Sequence, residues 1–320
     1  MKTSFICTVL NEEEAIESFL LSFSRQTRKP DEIVIVDGGS RDGTIRKILN
    51  FQETHKTLHV KLFRKRGNRA VGRNFAIRKA NHDIILLSDA GCLLSAKWVH
   101  EISKPFLNSR VDVVSGYYRG KSETVFQKCL IPYVLVMPDK LKEDAFLPST
   151  RSMAIKKSVL KQMGWFPKEY SHNEDYVFAK YLQKESVRIG FAKKAIVYWI
   201  PVKTLKGAFI MFFRFAVGDA EAGILRPKVV LIIARYVFAL ILFSIIVSQR
   251  DSTLAFLFFV LLILYLLWAI AKNYKYVKRW EAIYFLPLLQ ITSDIAVLSG
   301  TCIGLLILLF SKNERTFFQV

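Results

Sequence analysis

The chain has 320 residues, is 52% hydrophobic and carries 47 Lys and Arg against 27 Asp and Glu, a formal net charge of +20. That length admits one or two domains. Its four Cys (Cys7, Cys92, Cys129, Cys302) show no Cys-x-x-Cys spacing, which argues against a disulfide framework and a zinc site. The basic excess suits either nucleic acid or an anionic membrane surface, and the apolar runs described below favour the membrane over nucleic acid.

The N-terminal part alternates between short apolar runs and helical periodicity. Ser4 to Leu10 reads as a first strand, followed by a helix from Glu12 to about Arg25 with Ile16, Phe19, Leu20 and Phe23 on one face. Glu32 to Asp37 reads as a second strand and Asp42 to about Thr54 as a helix. A short strand around Val60 to Phe63, a basic helix around Asn68 to Ala80, a strand Ile84 to Asp89 and a helix from about Lys97 complete the series. Strand–helix alternation predicts an α/β domain with a mostly parallel sheet. Val111 to Gly116 is a further strand candidate, Gly120 to Pro148 shows no clear pattern and suits a loop, and more strands are expected around Gly190 to Ile200. Met1 to Leu10 is too short for a signal peptide and runs into Asn11-Glu12-Glu13-Glu14, so this domain is expected to stay in the cytoplasm.

Beyond about Pro227 the composition changes. Val229 to Val247, Leu254 to Ala271 and Ile283 to Phe310 are apolar runs that approach or exceed the ~20 residues needed to cross a bilayer. The loop Lys272 to Arg279 is basic, as cytoplasmic loops are. Between the two regions, Pro201 to Lys228 combines Phe209, Phe212, Phe213 and Phe215 with Lys203, Lys206, Arg214 and Arg226. That pattern suits an amphipathic segment at the bilayer interface, or a helix closing the domain. The expected organisation is an α/β domain over residues 1–200, a connector over 201–228, about three spans over 229–311 and a tail over 312–320.

Two acidic residues stand in the same setting. The run ending at Asp37 enters Gly38-Gly39-Ser40-Arg41-Asp42-Gly43-Thr44, and the run ending at Asp89 enters Ala90-Gly91. In open α/β sheets ligands bind outside the carboxyl ends of the strands. A carboxylate there accepts from a ribose hydroxyl or binds a divalent cation, or else it is turn chemistry.

Five segments in order extend this pattern: Thr8-Val9-Leu10-Asn11-Glu12, Val36-Asp37-Gly38-Gly39-Ser40-Arg41-Asp42-Gly43-Thr44, Gly72-Arg73-Asn74, Ser88-Asp89-Ala90-Gly91 and Glu174-Asp175. Together they resemble the motifs of family 2 glycosyltransferases, inverting enzymes of GT-A fold, over roughly residues 4–220. The branch resembled carries a C-terminal membrane anchor and is often assigned to cell-envelope polysaccharides or glycolipids. The resemblance implies a nucleotide-sugar donor bound by Thr8, Asn11, Glu12, Asp37, Arg73 and Asp89. It implies Asp175 as catalytic base and Asp89 as a contact to Mg²⁺ or Mn²⁺. The acceptor implied is a lipid-linked or glycan molecule at the cytoplasmic membrane face. For Arg73 a solvated helix face is the competing reading. Arg214 stands where related enzymes place an Arg near the donor, and a headgroup anchor is its alternative.

Two departures bear on this. Gly91 replaces the second acid of the family's Asp-x-Asp, so metal binding is expected to be weak. Gly38 occupies the second acidic position after the second strand. His172, three residues before Asp175, is a possible replacement ligand. A nucleotidyltransferase lacks support because the glycine-rich turn after the first strand is missing, as are P-loop and Rossmann patterns. A degenerate transferase serving as a membrane scaffold is the non-enzymatic alternative. Within the spans, Arg235 and Asp294 lie at membrane depth, where ionisable residues face a partner or a cavity. They are expected to pair or to flank a lipid phosphate, with Gly300 and Gly304 drawing the first and third spans together.

Overall fold

The computed structural model describes residues 1–108, 110–185 and 187–315, with side chains to residue 310. The elements in chain order are β1 (Thr3–Val9), α1 (Ile16–Ser24), β2 (Glu32–Asp37), α2 (Thr44–Thr54), β3 (Val60–Arg64), α3 (Arg69–Lys79), β4 (Ile84–Leu87), β5 (Cys92–Leu94), α4 (Trp98–Ser103) and β6 (Val113–Gly120). They continue as α5 (Val125–Val134), β7 (Met153–Lys156), α6 (Lys157–Gln162), α7 (Glu174–Lys184), β8 (Ile189–Trp199), α8 (Leu205–Glu221), α9 (Pro227–Gln249), α10 (Ser252–Val277) and α11 (Ala282–Arg315). The last five residues of the expected tail, 316–320, lie outside the described residues.

Two compact units divide the chain: Met1–Lys121 with Leu135–Ile200, and Ser122–Val134 with the chain from Pro201. The first unit holds an eight-stranded sheet in the order β3-β2-β1-β4-β7-β6-β8-β5. β1 is parallel to both β2 and β4, and β2 to β3. β2 and β4 are buried along their whole length, as parallel strands covered on both faces must be, while the edge strand β3 is only partly buried. β7 enters antiparallel between β4 and β6. Phe19 and Phe23 of α1 pack on Phe5 of β1, which also meets Trp98 edge-on.

The boundaries differ from the sequence reading for identifiable reasons. α1 begins at Ile16 rather than Glu12 because Asn11 turns through the left-handed region, with φ of 54°. The backbone N–H groups of Glu12 and Glu13 are then taken by Thr44 and Asp42 of the next loop. β6 runs to Gly120, further than the Val111 to Gly116 expected. The patternless stretch after Gly120 contains α5, which belongs to the second unit. There Phe126 packs edge-on against Phe285 of α11, and Tyr133 donates to the carbonyl of Leu286.

In the second unit, α9, α10 and α11 contain windows of mean hydropathy 2.7, 2.9 and 2.1 and are long and apolar enough to cross a membrane. The expected packing of the first and third spans through glycine is not what forms. A Cβ on Gly300 would lie 2.9 Å from Ala216, and one on Gly304 would lie 2.6 Å from the carbonyl oxygen of Val217. The glycine groove of α11 therefore receives α8, whose Phe212, Ala216, Val217 and Ala220 are buried. An aliphatic span on α9 offers no comparable small face, whereas α8 presents Ala216 and Ala220 four residues apart.

Candidate active site

The site is built at the carboxyl ends of β1, β2 and β4, with α3 laid across them. Asp37, at the end of β2, is fully buried, and its carboxylate accepts from the N–H groups of Gly39 at 2.9 Å and Ser40 at 3.1 Å. It holds the loop that follows, so the turn role is visible in its contacts. Asn11 joins the same loop, donating its N–H to Ser40 Oγ at 2.9 Å and accepting from the N–H of Arg41 at 2.9 Å. Thr8 lies at the end of β1 beneath Gly72 of α3, where a Cβ would meet the Thr8 methyl at 2.7 Å. Only glycine allows α3 to approach β1 this closely.

That approach aims the next two residues. Asn74 is buried and exchanges two hydrogen bonds with the backbone of Phe166, at 2.8 and 3.0 Å. Arg73 is buried too, which sets aside the solvated-face reading; its guanidinium pairs with Glu174 and with Asp89, the latter at 3.1 Å. Burial works against its charge, and Glu174, Asp89 and Asp175 more than restore it, so Arg73 is a fixed cation.

Asp89 stands just past β4 with its side chain 42% exposed. Asp175 follows Glu174 in the first turn of α7, after Asn173 turns the chain with a φ of 57°. Asp175 accepts from Ser149 Oγ at 3.0 Å, Thr150 Oγ1 at 3.2 Å and Thr150 N–H at 3.3 Å. The Thr150 hydroxyl also lies 3.4 Å from Asp89. One O–H serves two carboxylates, so at any moment one of them has an acceptor position open to a substrate hydroxyl. Burial disfavours the Asp175 anion, yet Arg73, Arg151 and the hydrogen bonds from Ser149 and Thr150 together hold its carboxyl below the usual range. It is therefore ionised at neutral pH, as a proton acceptor must be. Glu12, near the end of β1, shifts the other way: burial raises its carboxyl, and the charge of Asp89 adds to this.

The sequence reading missed four contributors. Ser149, Thr150 and Arg151 lie in an irregular segment before β7, and only the antiparallel pairing of β7 with β4 carries them beside Asp89. Arg151 rests over the rings of Tyr118 and Trp199, at 5.6 and 5.8 Å. Glu174 was visible as part of a motif, but its role as the buried partner of Arg73 was not. Arg214 lies on an exposed position of α8 in the second unit.

No group of three or more His, Cys, Asp or Glu arranged for a metal ion occurs among the described residues. His172 is engaged with Ser171 at 2.8 Å. A Cβ on Gly91 would meet nothing within 4 Å. One half-exposed carboxylate beside open space fits a hard cation that takes most of its oxygens from a bound ligand.

The family model for glycosyl transferase family 2 matches residues 4–164, half of the chain. The chain belongs to that family. It is 32% identical over 119 residues to the uncharacterized glycosyltransferase YfnE of Bacillus subtilis, covering 37% of this chain and 30% of that protein. It is 24% identical over 226 residues to a poly-beta-1,6-N-acetyl-D-glucosamine synthase of Staphylococcus epidermidis, covering 68% and 54%. The chain thus spans about half or less of the length of these two relatives. Among solved structures, the mannosyltransferase PcManGT from Pyrobaculum calidifontis, in complex with GDP-Man and Mn²⁺, superposes with a TM-score of 0.64 at 18% identity, over 94% of this chain and 87% of that one. The first unit of this family 2 glycosyltransferase has the GT-A fold, and three helices suited to a membrane follow it.

Proposed function

We propose that the protein transfers a sugar, with inversion, from a nucleoside-diphosphate sugar to a hydroxyl or phosphate of a lipid-linked or envelope-glycan acceptor at the cytoplasmic membrane face. The observation that carries this reading is the single Thr150 hydroxyl within 3.4 Å of both Asp89 and Asp175, with Arg73 held beside them. Asp175 takes the proton of an acceptor hydroxyl as its oxygen bonds to the anomeric carbon. The bond from that carbon to the diphosphate oxygen breaks on the opposite face, and the nucleoside diphosphate leaves. Arg73, already charged and ordered, faces the charge that builds on the leaving group without needing to reorganise. Thr8, Asn11, Glu12 and the loop organised by Asp37 form the nucleoside side, and Arg214 is a further candidate for the diphosphate or acceptor. Asp89 and the donor phosphates would hold Mg²⁺ or Mn²⁺, which supplies neutralisation of the diphosphate. The basic segment 272–279, which the structure makes the last turns of α10 and the turn after it rather than a loop, supports a topology with that segment and the catalytic unit both inside.

The experiment is a donor panel. Purified full-length protein in a membrane mimetic is offered nucleotide sugars with and without Mn²⁺ and a lipid extract as acceptor. Release of nucleoside diphosphate that depends on acceptor, with an inverted anomeric centre by NMR, is expected. Retention of configuration, or uncoupled binding without any turnover across the panel, removes the reading.

A further inference from the structure

Beside the proton acceptor of the cleft stands a cation with no carboxylate of its own. Ser149 and Thr150 hold Asp175, and Arg151 follows them directly, where a bridge between Ser149 and Ser152 leads the chain into β7. Among the described residues the Arg151 guanidinium makes no ion pair and no hydrogen bond, and the residue is half-buried. It lies instead over two rings, Tyr118 of β6 at 5.6 Å and Trp199 of β8 at 5.8 Å. The sheet sets those rings side by side. Tyr118 pairs with Val197 of β8, so Trp199, two residues on, stands on the same face. Phe146 leans on Tyr118 at 5.4 Å and backs this shelf. A guanidinium lying over rings keeps its N–H groups at its planar edge, where an oxyanion can take them.

We propose, on the basis of the transfer reading above, that Arg151 binds a phosphate group carried by the acceptor, next to the hydroxyl that attacks. Arg73 is engaged by Glu174 and by Asp89 at 3.1 Å, on the side where the donor phosphates and a cation would lie. Arg151 belongs with the proton acceptor. Burial disfavours the Asp175 anion, and after Arg73 it is the charge of Arg151 that favours it. Burial likewise pushes the Tyr118 phenol up, and Arg151 and Asp175 act on it in opposite senses, so the three groups are neighbours. With inversion, the attacking oxygen and the leaving group occupy opposite faces of the sugar. A cation beside the base therefore meets the acceptor. The attacking oxygen is a hydroxyl, because an ionised Asp175 can take its proton, whereas a phosphate oxyanion has none to give and is repelled by that carboxylate. The acceptor's phosphate is then a separate group, and its two oxygens match the planar fork of Arg151.

The test uses full-length protein in detergent micelles and two probes. Glycerol phosphate offers a hydroxyl with a phosphate beside it, and inorganic pyrophosphate with Mg²⁺ stands for the leaving diphosphate. Binding of each is followed by phosphorus NMR. Wild type should bind glycerol phosphate with or without saturating pyrophosphate. Arg151→Gln should weaken that binding by about tenfold or more and leave pyrophosphate affinity unchanged. Arg151→Lys keeps the charge without the planar fork and should lose about threefold. Should Arg151→Gln fail to fold, Arg151→Lys decides alone. Displacement of glycerol phosphate by pyrophosphate overturns the proposal, as does a loss confined to pyrophosphate, since either sets Arg151 on the donor side. So does wild-type protein that ignores glycerol phosphate, or binding that neither variant changes. The donor panel reports on transfer separately: turnover there together with binding independent of Arg151 overturns this proposal and leaves transfer standing, whereas absent turnover removes both.

Discussion

Two arginine–carboxylate clusters, one around Arg73 and one around Asp294, are built in reversed proportions. In the catalytic unit one buried cation, Arg73, serves Glu174 and Asp89 and acts on Asp175. Acid exceeds base, and the surplus is carried by Asp89, which is 42% exposed and has acceptor capacity to spare, while Asp175 takes four hydrogen bonds from Ser149, Thr150 and Tyr176. In the membrane unit one carboxylate, Asp294, is saturated by Arg235, two tyrosines and a glutamine. There the surplus is in donors. Asp89, facing solvent, is left incompletely satisfied; a carboxylate in hydrocarbon must be filled, because an unpaired group there is several kcal/mol more costly.

The contrast can be broken at either end. The largest effect is expected from Asp175→Asn, which keeps size and fold but removes the proton acceptor. Turnover should fall by about 10²–10⁴-fold with little change in donor affinity; near wild-type turnover would sink the assignment. Arg235→Ala comes next. It strands a buried carboxylate and should cost about 3–5 kcal/mol in folded stability. Exchanging the two residues, Arg235→Asp with Asp294→Arg, should recover part of the loss, and strictly additive losses would dissolve the pair. Glu174→Gln preserves a hydrogen bond to Arg73 but removes its buried counter-charge. A loss of about 1–3 kcal/mol and a raised donor KM are expected, and a KM left unchanged would make Glu174 structural only.

Smaller changes sharpen the comparison. Gly91→Asp places a second acid into open space, and Mn²⁺ affinity measured without donor should tighten by on the order of tenfold. No change would mean that the new side chain points away from Asp89. Glu12→Gln tests electrostatics near Asp89. Because burial and Asp89 raise the Glu12 carboxyl in the folded state, its ionisation opposes folding. The substitution should raise Tm by about 1–2 °C at neutral pH, a gain that fades as pH falls through the folded value and below the unfolded ~4.3, where Glu becomes protonated folded or unfolded. Asp175 behaves in the opposite sense: its lowered carboxyl adds stability above the unfolded value of ~3.9, and that is lost as pH falls through the folded one. A gain from Glu12→Gln that persisted in acid would point to packing instead.

What was legible in the chain is what local pattern encodes. The strands leading to Asp37 and Asp89 could be read because a short apolar run bounded by Gly and Asp has few other uses, although the second stops at Leu87. The spans were legible from length and hydropathy, and the Arg235–Asp294 pair because a charge at that depth demands a partner. The spatial partners were not. Arg73 and Glu174 are 101 residues apart, and nothing near either one announces the other. Thr150 and Arg151 belong to the site only because β7 runs antiparallel beside β4, and α5 joins the second unit because its apolar face meets α11. The glycines of α11 advertised a close approach, yet which helix would take it depended on the matching alanines of α8. Sequence determines which groups must be buried, charged or closely packed, since those needs arise within a few residues. Which group answers each need is decided by tertiary structure, where long-range pairing settles competition among many chemically adequate partners.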